Sequence, residues 1–108
     1  MTAESELKRD VLLALGARSD CRVWRQNSGL LLSPATGIPV RAGILGCADL
    51  SGIVLGGRRL ELELKAERGT PSEFQLQFGA MITRYGGLWC VIRSVEDAIA
   101  AVEGVLKC

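Results

Sequence analysis

Three residues of this sequence have the types and the spacing of a hydrolytic site: Asp49, Glu63 and Lys65. The last two belong to the segment Leu60-Glu61-Leu62-Glu63-Leu64-Lys65, whose alternation of apolar and charged residues is typical of a β-strand. Alternate side chains of a strand share a face, so Glu63 and Lys65 lie on one face and the leucines on the other. A carboxylate placed in this way can hold a cation, and the ammonium beside it can bind a phosphate or position a water.

Asp49 stands at the start of the preceding apolar segment, residues 50–55, and Gly56-Gly57 separates that segment from the strand that carries Glu63. This pattern predicts a β-hairpin. A loop of three or five residues, or a bulge, would place Asp49 opposite Glu63 with their Cβ atoms about 5 Å apart. A two-residue turn would instead place Asp49 opposite Leu64, so the candidate site requires the irregular turn.

Two carboxylates about 5 Å apart repel by about 3 kcal/mol at an effective dielectric constant near 20, so such a pair shares a proton or binds a cation. A hard divalent ion fits, because Mg²⁺ is commonly held by one or two carboxylates together with waters and substrate phosphate. The ion can activate a water for attack on phosphorus, and Lys65 can position that water or bind the phosphate. Glu-x-Glu-x-Lys is also typical of a solvent-exposed strand face, and this alternative stays open.

The amino-acid composition excludes several kinds of catalytic site. The sequence contains no histidine, which excludes a Ser-His-Asp or Cys-His site and a His-ligated zinc. Thirteen basic and twelve acidic residues give a net charge of +1, so there is no overall attraction to nucleic acid or membrane. Six arginines nevertheless lie between residues 18 and 59, against two aspartates. Arginine binds phosphate oxygens well, although scattered ion pairs explain these residues equally well.

The four cysteines form no Cys-x-x-Cys pair, and without histidine they predict no zinc site. The polar start of the sequence indicates no secretory leader, and every apolar run is far shorter than the ~20 residues of a membrane span. We therefore expect a reduced, cytoplasmic protein that does not enter a membrane. A length of 108 residues predicts a single domain over residues 1–108.

The elements that would position the site follow from periodicity and capping residues. Thr70, Pro71 and Glu73 predict the start of a helix whose apolar stripe runs from Phe74 to Tyr85. Residues 27–46 are rich in Gly, Pro, Ser and Thr, and they form either a short hairpin or a functional loop. The other predicted elements are a helix over 2–15, strands over 22–26, 50–55, 60–65 and 88–92, and a last helix that ends at 105. This order predicts an α/β fold with a mixed β-sheet flanked by α-helices.

Several segments resemble one family in their order along the chain. Gly46-Cys47-Ala48-Asp49-Leu50, followed after a hairpin by Glu63-Leu64-Lys65, resembles the core of the PD-(D/E)xK nucleases. The surrounding segments are similar to its virus-type replication-repair nuclease (VRR-NUC) branch: Glu4-Ser5-Glu6-Leu7, Trp24-Arg25-Gln26-Asn27-Ser28-Gly29 and Pro71-Ser72-Glu73-Phe74-Gln75. The resemblance covers nearly the whole chain, but Cys47-Ala48 stands where a proline usually precedes the aspartate.

The resemblance implies a restriction-endonuclease-like fold and a metal-dependent endodeoxyribonuclease. In such a site Asp49 and Glu63 would ligate Mg²⁺ or Mn²⁺, and Lys65 would assist the attacking water. A glutamate of the first helix completes the acidic site in this family; Glu4 fits that position, with Glu6 as its rival. Gln75 matches a glutamine on the helix that follows the E-x-K strand. We expect DNA contacts from the residues Arg22, Arg25, Ser28, Arg41, Arg58 and Arg59.

Small members of the family resemble Holliday-junction resolvases, so the expected partner is branched DNA and the expected working unit is a homodimer. A two-fold dimer matches the symmetry of paired incisions in a four-way junction. A flap-specific or single-strand-specific nuclease is one alternative, and a catalytically silent nucleic-acid-binding protein of the same fold is another. Loss of a carboxylate is the usual mark of a silent descendant, and the carboxylates Asp49 and Glu63 are both present.

Overall fold

The strands and helices expected from the sequence form in the expected order. The computed structural model of the chain describes residues 2–26, 29–42 and 44–107, except for the side chains of 29–31, 41 and 42. The elements are α1 (Ala3–Gly16), β1 (Cys21–Arg25), β2 (Gly29–Leu32), β3 (Pro39–Ala42), β4 (Leu50–Val54), β5 (Arg59–Leu64), α2 (Glu73–Arg84), β6 (Leu88–Ile92) and α3 (Val95–Lys107). No helix within these ranges is long and apolar enough to cross a membrane.

The main sheet has four strands in the order β1-β4-β5-β6. β4 runs antiparallel to β1 and to β5. β6 runs parallel to β5, because helix α2 carries the chain from the end of β5 back to the side of the sheet where β5 begins. The mixed sheet with its flanking helices confirms the α/β prediction. Two alternatives were predicted for residues 27–46, a short hairpin and a functional loop. The hairpin is observed, because β2 and β3 form a separate two-stranded antiparallel sheet.

The two faces of the main sheet differ in their chemistry. On one face Leu50, Leu60, Leu62 and Leu64 pack with buried residues of the helices α1 and α3, and this packing forms the main hydrophobic core. The other face is covered by α2, where Phe78 is buried. Burial of the leucine face follows from the alternation along β5, because successive side chains point to opposite sides of the sheet.

Helix α2 begins two residues later than the sequence predicted. The N-cap is Ser72 and not Thr70: the Ser72 hydroxyl accepts a hydrogen bond from the Gln75 backbone N–H, and the Gln75 side chain accepts one from the Ser72 N–H. Threonine and serine can both cap a helix, and Glu73 would complete the reciprocal pair for Thr70 as Gln75 does for Ser72, so local sequence does not separate the two starts.

The apolar stripe predicted for α2 is also shorter than expected. Phe74 and Tyr85 are 53% and 79% exposed, at the two ends of the helix. The buried contact is centred on Phe78 and Gly79, because Gly79 lies against the Trp89 indole of β6. A side chain at Gly79 would hold α2 away from the sheet, so this glycine sets how closely the helix approaches.

Substitution of Gly79 by alanine is expected to lower the free energy of unfolding by about 1–3 kcal/mol, because the added Cβ would lie 2.4 Å from a ring carbon of Trp89. Gly104 of α3 is a matched control, since a Cβ there meets no atom within 4 Å. Gly104→Ala should raise the free energy of unfolding by about 0.5–1 kcal/mol through helix propensity. Urea unfolding measures both changes, and a Gly79→Ala protein as stable as Gly104→Ala would contradict the close packing of Gly79 on Trp89.

Candidate active site

The hairpin formed by β4 and β5 brings Asp49 and Glu63 together. Leu50 pairs with Leu62, so Asp49, one residue earlier, lies opposite Glu63. The hairpin loop has three residues, Leu55, Gly56 and Gly57, and both glycines have positive φ angles, 101° and 93°. Such angles favour glycine. The irregular turn that the candidate site requires is therefore present, and of the two registers that the sequence left open the structure has the one that pairs Asp49 with Glu63.

Asp49 and Glu63 are held by different contacts. The Asp49 Oδ2 atom accepts a hydrogen bond from the Leu64 backbone N–H at 2.9 Å, which fixes the carboxylate at the end of β5. Glu63 is 2% exposed, and its Oε1 atom accepts a hydrogen bond from the Gln75 amide nitrogen at 3.1 Å. Its Oε2 atom is buried and has no hydrogen-bond partner in the described part of the chain. A buried carboxylate oxygen without a partner is costly unless a proton or a cation occupies its lone pairs.

Burial and the neighbouring carboxylate change the acidity of Glu63. Loss of solvent is the largest cause, and the nearby Asp49 carboxylate acts in the same direction, because it shares the proton once Glu63 is protonated and repels the ionised form, so that the pKa of Glu63 rises to about 9. The positive charge of Lys65 opposes this rise, and the negative charge of Glu4 adds to it. Near neutral pH the pair therefore holds a proton on Glu63 when no cation is bound.

Gln75 connects the start of α2 to this carboxyl pair. Its Oε1 atom accepts the hydrogen bond from Ser72 that closes the helix cap, at 2.8 Å, and its Nε2 atom donates to Glu63. The cap fixes which end of the amide faces the sheet, because the oxygen is already engaged by a backbone donor. The structure thus places Gln75, a residue that the family resemblance implied, in contact with Glu63, and its role in catalysis stays a prediction.

Glu4 and Lys65 complete the immediate surroundings. A cavity of about 180 Å³ lies between the first turns of α1 and the end of the hairpin, and Glu4, Lys8 and Asp49 are among the residues that line it. Glu6 does not line this cavity, so Glu4 is the helix-one acid placed closer to Asp49. Lys65 follows directly after β5 and is half-buried. Its charge acts on Glu63, as the pKa change shows.

The donor atoms fit a hard cation that needs two protein carboxylates. Among the described residues, no group of three or more His, Cys, Asp or Glu side chains lies close enough together to hold a metal ion. What the hairpin brings together is the Asp49–Glu63 pair, with Glu4 across the cavity. An all-oxygen pair with one unpartnered buried oxygen suits Mg²⁺ or Mn²⁺, which take their remaining ligands from waters and phosphate.

Of the predicted DNA-contacting residues, Arg25 lies on β1 beside helix α1. It pairs with Leu50 at the start of β4, and it lines a groove of about 360 Å³ together with Ser5 and Lys8 of α1. Lys8 was not singled out from the sequence. Its spacing of four residues from Glu4 was the available signal, because residues four apart in a helix share a face.

The other arginines are placed elsewhere or are occupied. Arg59 lies four residues before Glu63 along β5, about 13 Å away at the rise of a strand. Its guanidinium forms an ion pair with the buried Glu61 at 3.1 Å and lies over the Trp24 ring. Arg22 donates to the Arg18 and Cys21 carbonyl oxygens, and Arg58 donates to the Gly86 carbonyl oxygen. Ser28 and the side chain of Arg41 lie outside the described residues.

The polar face of β5 is not solvent-exposed, which was the alternative left open by its sequence. Glu61 is 1% exposed, and the Ser51 hydroxyl donates a hydrogen bond to it at 2.9 Å. Glu61 therefore has partners for both carboxylate oxygens, one from Ser51 and one from Arg59. Glu63, two residues further on, has one oxygen with a partner and one without.

Comparisons with known proteins give no assignment: no family model, no curated protein and no solved structure matches this chain. The function is therefore inferred from the geometry of the site.

Proposed function

We propose that this protein is a divalent-metal-dependent endodeoxyribonuclease with a restriction-endonuclease-like core of the PD-(D/E)xK type, similar to the VRR-NUC branch. The observation that carries the proposal is the pairing of Asp49 with Glu63 across the hairpin, with one buried Glu63 oxygen unpartnered. A second carboxylate on the same strand, Glu61, has its hydrogen bonds satisfied. The contrast between the two glutamates supports a ligand-binding role for Glu63.

Each residue has a role in this proposal. Asp49 and Glu63 would hold Mg²⁺ or Mn²⁺, with Glu4 available on the other side of the cavity. The ion, when bound, neutralises phosphate charge and lowers the pKa of a water. Gln75 keeps the Glu63 carboxylate in one orientation through its hydrogen bond. Lys65 donates a hydrogen bond to the attacking water or to a phosphate oxygen, where negative charge develops as the water oxygen bonds to phosphorus and the sugar oxygen leaves.

The favoured substrate is branched DNA, cut by a homodimer as a Holliday-junction resolvase would cut it. Lys8 lines the cavity with Asp49, and Arg25 lines the neighbouring groove together with Lys8, so both supply positive charge for phosphates that approach this end of the sheet. A flap-specific or single-strand-specific nuclease uses the same chemistry on another DNA shape. A silent nucleic-acid-binding protein is disfavoured because both carboxylates and Lys65 are retained.

A cleavage assay on four substrates tests the proposal. Purified protein is incubated with an end-labelled four-way junction, a 5′ flap, a single strand and a linear duplex, with Mg²⁺ or Mn²⁺ and then with EDTA. We expect cleavage of the junction that depends on metal and stops with EDTA. Cleavage of flaps or single strands alone would contradict the resolvase assignment, and no metal-dependent cleavage of any substrate would contradict the nuclease proposal.

A further inference from the structure

The two edges of the four-stranded sheet differ in charge. Strand β1 forms one edge and carries Arg22 and Arg25, and charged residues on an edge strand oppose pairing with another chain. Strand β6 forms the other edge, and its sequence, Leu88-Trp89-Cys90-Val91-Ile92, contains no charge and no proline. In the part of the chain that the structure describes, no strand lies beyond β6. The β6 edge is therefore open to a further strand.

The backbone hydrogen bonds show which groups of β6 are available. The Ile92 carbonyl oxygen accepts from Lys65 N–H, so the backbone groups of Leu88, Cys90 and Ile92 point toward β5. Those of Trp89 and Val91 consequently point away from β5. Beyond them, the Gly87 N–H donates to the Ile82 carbonyl and the Arg93 N–H donates to the Asp97 carboxylate. The open donors of the edge are thus limited to two residues, placed symmetrically about Cys90.

We propose that β6 is the dimerisation strand, and that it pairs antiparallel with β6 of a second copy of this chain across a two-fold axis at Cys90. In this register Trp89 of each copy lies opposite Val91 of the other, and each such pair exchanges two N–H···O=C hydrogen bonds. The two Cys90 residues then form a pair without backbone hydrogen bonds, with Cα atoms about 4.5 Å apart. A two-fold axis requires a self-complementary surface, and the symmetric positions of the open groups provide it.

Charges on either side of the strand fit the same symmetry. A groove of about 500 Å³ runs along the edge between β6 and α3, and Ala100, Ala101 and Gly104 are among its lining residues. Arg58 lies at the Leu88 end of this groove, and Asp97 lies at the Ile92 end. An antiparallel partner brings the Leu88 end of one copy to the Ile92 end of the other. Arg58 of each copy therefore approaches Asp97 of the other, a complementary contact that a parallel partner strand would not make.

This inference names the surface of the dimer included in the proposed function, and so rests on that function. The two-fold axis is perpendicular to the sheet, so both Asp49–Glu63 pairs lie on the same face of an eight-stranded sheet. From the strand spacing and the rise per residue, the Cα atoms of the two Glu63 residues would be about 16 Å apart. The experiments contain no DNA, no Mg²⁺ and no Mn²⁺, so a failure of the dimer is distinguishable from a failure of nuclease activity.

The first experiment uses the unmodified protein. Sedimentation equilibrium at about 100 µM, where a dimer with a micromolar Kd is nearly saturated, should give twice the 11.6 kDa of one chain. Burial, together with the charge of Asp97, raises the pKa of Cys90 to about 11, so the crosslink is driven with copper–phenanthroline rather than with air. The expected product is a dimer joined by two copies of the tryptic peptide 85–93, which contains Cys90. A monomer, or a dimer crosslinked only through other cysteines, would overturn the proposal.

The second experiment compares proline substitutions at the two sheet edges. Val91→Pro removes a backbone donor at the β6 edge without removing a hydrogen bond to β5, and it should weaken the dimer at least about 10-fold. Val23→Pro is the matched control. The Asp20 carbonyl and the Gln26 N–H bond to the β4 side, and since backbone groups alternate along a strand, the Val23 N–H points away from β4 toward the open edge. We expect Val23→Pro to dimerise like the unmodified protein. Equal dimerisation of the two variants, with circular dichroism showing both folded, would exclude β6 as the interface.

Discussion

Replacement of Glu63 by glutamine is expected to lower the rate of metal-dependent DNA cleavage by about 10³-fold, and replacement of Asp49 by asparagine should have a similar effect. Both changes keep the size of the side chain and remove the charge that would bind the cation. Glu63→Gln should leave the fold intact, because near neutral pH the metal-free protein already holds a proton on this residue, whose pKa is raised to about 9. Single-turnover cleavage of the preferred substrate measures the effect.

Glu61 provides a control on the same strand. It is as buried as Glu63, but it is bound by Ser51 and Arg59 and does not face Asp49. Glu61→Gln weakens an ion pair and is expected to cost about 1–3 kcal/mol of stability while leaving the cleavage rate of the folded protein unchanged. A Glu63→Gln protein with a near-normal rate would remove Glu63 from the site. An equal loss in Glu61→Gln would mean that the losses report on folding.

The stability of the metal-free protein is expected to fall as the pH rises from about 4.5 to about 9. The pKa of Glu63 is raised on folding from the ordinary glutamate value of 4.5 to about 9, so the folded state binds a proton that the unfolded state has released in this window. The stabilising contribution of the protonated carboxyl is complete below pH 4.5 and is lost as the pH approaches 9. Titration of Glu63 contributes at most about 1.4 kcal/mol per pH unit to the slope of the free energy of unfolding against pH. Urea unfolding in EDTA at several pH values measures it.

Two comparisons assign this slope to Glu63. In Glu63→Gln the group no longer titrates, so the pH dependence over the same window should be nearly flat. Addition of Mg²⁺ or Mn²⁺ at pH 8 should raise the midpoint of thermal unfolding of the unmodified protein, by the equivalent of about 2.7 kcal/mol at 100 times the Kd. The same addition should leave Glu63→Gln unchanged. A slope that persists in Glu63→Gln, or a metal-induced shift equal in both proteins, would place the proton or the metal elsewhere.

The sequence predicted the Asp49–Glu63 pair only conditionally. The alternation along β5 determines which side chains share a face, but the register depends on how many residues close the hairpin, and Gly56-Gly57 is compatible with two loop lengths. The start of α2 was wrong for a similar reason, since Thr70 and Ser72 are both good caps and a glutamine at N3 completes the pair as well as a glutamate does. Local patterns left both choices open, and contacts within the fold decided them.

The burial of the charged face of β5 could not be predicted from its own residues. Glu-x-Glu-x-Lys has the same alternation whether water or a helix covers it, and the cover comes from α2, which is held close to the sheet by Gly79. The arginines show the same limit. Arg25 and Arg59 are equally plausible phosphate ligands by type, but Arg25 lies in the groove that Lys8 also lines, whereas Arg59 is paired with Glu61. Position along a strand, and not residue type, separates them.

The three-residue loop of the β4–β5 hairpin makes the site sensitive to chain length at a place far from the chemistry. Substitutions at Leu55, an exposed position, should be neutral for activity, because they leave the register unchanged. Deletion of a single loop residue keeps Asp49 opposite Glu63 only if the two remaining residues close the hairpin between Val54 and Arg58. If Arg58 joins the loop to keep three residues, β5 shifts by one position, Leu64 comes opposite Asp49 and Glu63 turns toward the hydrophobic core. The site should therefore tolerate a change in the loop that leaves Val54 paired with Arg58, and it should be lost when that pairing moves by one residue.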